Sequence, residues 1–150
     1  MSLSLLFHVL SVVVWVGGMF FAYMALRPVA AAVLEPPLRL TLWAGVFGRF
    51  FPWVWASVGL ILLTGLHMLS QISGAGIPHY ALAMLVLGVV MMLIFAHVFF
   101  APYKKLKRAV SEQNWQAGGA ALAQIRMLIG INLGMGLLTI VVVFVGRGLA

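Results

Sequence analysis

There is no cysteine in this sequence and no aspartate, and its only side-chain carboxylates are Glu35 and Glu112. Without thiols the chain forms no disulfide, builds no iron–sulfur cluster and offers a haem no thiolate ligand. With two glutamates it has no carboxylate dyad, no carboxylate-rich metal site and no chain of acids for proton pumping. Charge of either sign is scarce: Asp, Glu, Lys and Arg together make 7% of the 150 residues, against roughly a quarter in a soluble domain. Missing too are the Gly-x-Gly-x-x-Gly, Gly-x-Ser-x-Gly and His-Glu-x-x-His patterns and any internal repeat, so nucleotide, acyl-transfer and zincin chemistry have no signature here.

What is abundant is apolar surface. Hydrophobic residues make 65% of the chain, which only lipid solvates, so the sequence reads as an integral membrane protein of one domain, residues 1–150. Residues 1–26 carry no charge, long enough for a span at about 20 residues each. They lack the positive n-region of a cleavable signal peptide. Charges then fall at Arg27, Glu35, Arg39 and Arg49, with Pro28, Pro36 and Pro37 interrupting helix. Residues 50–103 are again free of Lys, Arg, Asp and Glu, and "SQISGAGIPHY" divides them by its Gly74, Gly76 and Pro78. The spans expected are 3–26, 51–69, 79–100 and 127–145. Between the last two, "PYKKLKRAVSEQNWQ" is a polar connection, part of it an amphipathic interfacial helix.

Those spans predict an all-α, antiparallel four-helix bundle. Eight of the nine basic residues sit in the two loops on one side, and Arg147 alone on the other. The positive-inside rule then puts both termini away from the cytoplasm, in the inner (cytoplasmic) membrane of the cell. The net charge of +7 is thereby topology, with some attraction to anionic lipid, and no nucleic-acid partner is implied. Gly17, Gly18, Gly59, Gly130 and Gly134 offer close helix contact, within one chain or in a homo-oligomer.

The histidines are the chemistry-bearing residues. His8 lies about two turns inside span one, His67 near the outer end of span two, and His79 opens span three on that side. His97 falls near the opposite face. A lone histidine at a span's end is commonly an interfacial side chain. An ionisable residue inside a span instead faces the bundle interior and marks function. Two imidazoles at one depth on antiparallel helices suit haem b, a flat apolar macrocycle with two axial ligands. His8 and His67 are the expected iron ligands and His79 the reserve. On His8's stripe helical spacing adds Val12, Trp15 and Met19, and on His67's it adds Thr64, Leu60 and Trp53. A six-coordinate haem favours electron transfer, here between an outer-face donor and membrane quinone, with one haem per chain. Copper is the competing cofactor, because Met68 beside His67 offers a thioether that suits Cu(I).

"HVLSVVVWVGGMFF" closed by "RP", "RFFPWVWASVGLILLTGLHML", "PHYALAMLVLGVVMMLIFAHVFFAPYKKLKRA" and "IRMLIGINLGMGLLTIVVV" together resemble the CopD-like membrane proteins, the copper-resistance D superfamily. The HemJ-type protoporphyrinogen oxidases are similar in length and layout. The resemblance implies four membrane helices, with haem b bound through a span-one histidine in the HemJ branch, which carries to His8, with Trp15 the aromatic after it. His79 and His97 match third-span histidines of those oxidases. The chain departs from them in continuing span one as "YMALRPVAAAV" and in placing Ala81 where they carry lysine. Two further functions therefore stand beside electron transfer. One is porphyrinogen oxidation, with Arg27, Arg49 and Arg126 pairing propionates. The other is CopD-like copper transport from the outer His/Met groups inward.

Overall fold

The computed structural model describes residues 2–72, 74 and 76–149, and the regular structure there is helical throughout. Helix α1 (Leu3–Phe21) starts on Ser2, whose hydroxyl accepts from the Leu5 N–H at 3.3 Å, satisfying one of the orphan donors of the first turn. It runs through a π-helical turn (Ala22–Leu26) into α2 (Arg27–Val33). The wider turn stands just ahead of Pro28, whose ring cannot pass under an ordinary i−4 carbonyl. Helix α3 (Pro36–Ser70) opens with two prolines, which cost little in a first turn. Helices α4 (His79–Phe100), α5 (Pro102–Ser111) and α6 (Trp115–Gly148) follow. Four helical segments are long and apolar enough to cross a membrane: Leu3–Val33, Pro36–Ser70, His79–Ser111 and Trp115–Gly148.

The segments run up and down. His8 meets Thr64, which ties the start of α1 to the end of α3, and Gly146 lies against Tyr80, which ties the end of α6 to the start of α4. At the other end Gly130 sits under the Tyr23 ring and Gly118 beside Leu40. Between these ends the core is aromatic. Phe47 and Phe51 stack at 4.9 Å, and Phe51 meets Tyr103 edge-on at 4.9 Å and Phe95 at 5.3 Å. Lipid tails are as apolar as this core, so close packing rather than water exclusion holds the helices together. The outer faces keep large apolar side chains, with Leu63, Leu93 and Phe144 each more than 60% exposed (68%, 65% and 74%). This is the surface of a multi-pass membrane protein.

The bundle is the one expected, but three of its spans are longer. Span two begins as helix at Pro36 rather than near 51, and span four at Trp115 rather than near 127. Arg39, Arg49 and Arg126 ride on helix, not in loops. Span one also continues past residue 26 through α2 to Val33. Span three matches at 79–100, and the amphipathic connection is α5, burying Tyr103, Leu106 and Ala109 while Lys104, Lys105, Lys107 and Arg108 stay exposed. Within the expected turn, Gly74 and Gly76 take left-handed φ of 86° and 79°, conformations that glycine adopts without steric cost. Ser73 and Ala75 of that turn lie outside the described residues.

Candidate functional site

On α1 the buried residues are His8, Ser11, Trp15, Val16 and Met19, a single stripe at helical spacing. It is the face turned to α3. At its outer end the His8 Nδ1 lies 3.0 Å from Thr64 Oγ1. The Thr64 hydroxyl donates to the Leu60 carbonyl one turn back, with Ile61 O a longer second acceptor at 3.3 Å. A hydroxyl has one proton. With it committed to α3's backbone, Oγ1 is an acceptor for the imidazole. In the Nδ1–H tautomer that satisfies this contact, Nε2 carries the lone pair that a metal takes. Gly65, next in line, leaves room for the ring: a Cβ there stands 3.5 Å from His8 Cε1.

The other histidines are placed differently. His67, His79 and His97 are all exposed. The residue that meets His8 across the α1–α3 interface is Thr64, one turn before His67. The stripe expected around His67 does not form one face, since Thr64 is buried while Leu60 and Trp53 are 40% and 67% exposed. Among the described residues, no three His or Glu side chains gather where they could hold a metal ion. Met68, one turn beyond Thr64 on α3, is half-buried.

Trp15 is buried as expected, edge-on to Phe95 at 6.3 Å. It walls a cavity of about 10 Å³ with Met19, Phe51, Phe95 and Asn132, room for about one water. Beneath His8 the stripe of Trp15 and Met19 packs against side chains of α3 and α4, and this packing gives a haem b seat there no support. Asn132 Nδ2 donates to Met91 O at 3.1 Å, but its buried Oδ1 has no partner among the described residues. An uncharged amide in an apolar run gives no advance sign of that.

At the basic end of the bundle a larger cavity, about 300 Å³, is walled by Tyr23, Arg27, Arg39, Trp43, Trp115 and Arg126 among others. Arg27 stacks on the Tyr23 ring at 4.4 Å and its Nε donates to Tyr23 O at 3.2 Å. Arg39 caps α2, donating to Leu34 O from Nε at 3.3 Å and from Nη2 at 3.0 Å. Two of the three arginines expected together, Arg27 and Arg126, are so placed. Arg49 is not: it lies almost three turns along α3 from Arg39, is exposed, and is replaced on the wall by Arg39. Trp43 is buried in the same wall.

A family model described as CopD: Copper resistance protein D matches residues 44–145, more than half of the chain. The match opens within α3 and runs through α6; α1 with His8 precedes it. No curated protein and no solved structure matches the chain.

Proposed function

The chain belongs to the copper resistance protein D family, and on that premise we propose that it handles copper as cargo, accepting Cu(I) at His8 and passing it inward. One observation carries the reading: the Thr64 hydrogen bond favours the Nδ1–H tautomer of buried His8, in which Nε2 carries the lone pair. Cu(I) needs few ligands and prefers imidazole and thioether, so the lack of a three-residue carboxylate or histidine cluster does not count against it. Met68, on the same face of α3 one turn outward, is the second donor. His67 and His79, exposed at that end, are capture groups. Deeper in, the Met19 thioether and the unpaired Asn132 Oδ1 wall one small cavity and form the next station.

Haem-based electron transfer to quinone has less support. It needs His67 facing His8 and a slot beside Trp15, whereas His67 is exposed and the slot is packed with Phe51 and Phe95. Porphyrinogen oxidation has part of its expected arginine set, Arg27 and Arg126, in one cavity, but Arg49 is not among its walls. The test is a Cu(I) titration of purified protein against a chromogenic chelator. Wild type takes up one Cu(I) per chain, His8→Ala loses it and His97→Ala keeps it. Equal uptake by wild type and His8→Ala overturns the reading.

A further inference from the structure

The cavity at the basic end has no role in copper binding at His8, and its chemistry is of the opposite sign. Arg27, Arg39 and Arg126 line it, and no acid does. The only ion pair among the described residues is Arg108 with Glu112, out on α5. Glu35, next in sequence to the wall residue Pro36, is exposed and pairs with none of the three. Arg27 and Arg39 spend some N–H groups on backbone carbonyls, but a guanidinium has five. Arg126 is exposed and makes no side-chain hydrogen bond among the described residues. One long helix, α6, also begins at this wall, at Trp115, with Asn114 as its N-cap and no acidic residue in its first turn. Its N-terminal dipole adds positive potential, whereas that of α3 is offset by its N-cap Glu35. The remainder of the wall is apolar and aromatic, from Tyr23, Leu40, Trp43, Phe47, Trp115 and Ile129.

Three unpaired cations over an aromatic floor call for a ligand with an anionic head and an apolar body. We propose that this cavity is a binding site for the phosphate head of an anionic membrane phospholipid, its acyl chains running out along the bundle. Size and setting favour a lipid. About 300 Å³ is at the small end of ligand pockets, enough for a head group and the start of its chains. The exposed Lys104, Lys105, Lys107 and Arg108 of neighbouring α5 concentrate anionic lipid at the same face. Arginine grips phosphate through paired N–H donors.

Two variants test the site without disturbing the bundle. Arg126→Ala removes the cation that makes no side-chain hydrogen bond among the described residues. Gly119→Leu places a side chain at the cavity wall where a Cβ meets nothing within 4 Å, and it favours helix. Native mass spectrometry of the full-length protein, with phosphatidylglycerol or phosphatidylcholine added, reads occupancy directly. Wild type retains one phosphatidylglycerol per chain in preference to phosphatidylcholine. Arg126→Ala lowers that affinity about tenfold, the loss of one charge-assisted contact. Gly119→Leu lowers it as well, whereas Lys105→Ala on the outer face of α5 does not. Equal retention of both lipids, or unchanged retention in Arg126→Ala and Gly119→Leu, overturns the assignment. So does displacement of phosphatidylglycerol by equimolar inorganic phosphate or by a dicarboxylate porphyrin, either of which makes the occupant a different anion.

Discussion

At the residue scale, the function proposed rests on where one proton sits. Thr64→Val keeps the shape of the side chain but deletes the acceptor for His8 Nδ1–H. A buried donor left unpaired costs about 1–3 kcal/mol, and loss of the group that orients a metal-binding histidine costs about 10–100-fold in affinity. Thr64→Val is therefore expected to weaken Cu(I) binding by that factor while Thr64→Ser keeps it, as read by chelator competition. His8 was legible because an imidazole two turns inside a charge-free run has few structural uses. Its partner was not. Depth alone favoured His67, but three residues turn a helix by about 300°, and His67 is exposed while Thr64 is buried. A threonine in a span ordinarily signals only a bond to its own helix, which Thr64 also makes.

Among the elements, α4 runs over 79–100 as its sequence indicates, while α3 and α6 start well before their apolar stretches. Arg39, Arg49 and Arg126 stand on helix because neighbours such as Leu40, Trp43 and Ile125 still pack inward. Charge thus says little about where backbone hydrogen bonding stops. Close contacts between helices were harder to read. Of the glycines expected at crossings, Gly18 lies against Phe50 and Gly130 against Tyr23, but Gly17, Gly59 and Gly134 have nothing within 4 Å. Gly136 was not singled out, yet a Cβ on it comes within 3.0 Å of Val16 and 3.2 Å of Met91. Gly136→Val overpacks the meeting of α6 with α1 and α4 and is expected to cost about 1–3 kcal/mol. Thermal denaturation in detergent checks this, with Gly134→Ala as the neutral control.

For the whole molecule, the two ends differ in chemistry: His8, His67, His79 and Met68 lie toward one, and the arginine-lined cavity toward the other. From the distribution of basic residues we propose that the histidine end lies outside the cytoplasm. A reporter fused after Ala150 is therefore expected to be active only as an extracytoplasmic enzyme, and a cytoplasmic signal reverses the direction of any copper movement. On the proposed function, the three arginines of that cavity repel a bare cation, so copper would leave the bundle above it or bound to an anionic acceptor. The most direct measurement is copper entry into proteoliposomes that enclose a Cu(I)-responsive dye. The account predicts entry with wild-type protein, loss of that entry in His8→Ala, and entry at the wild-type rate in His97→Ala. Copper entry that is the same in wild type and His8→Ala, or no greater than in protein-free vesicles, contradicts it.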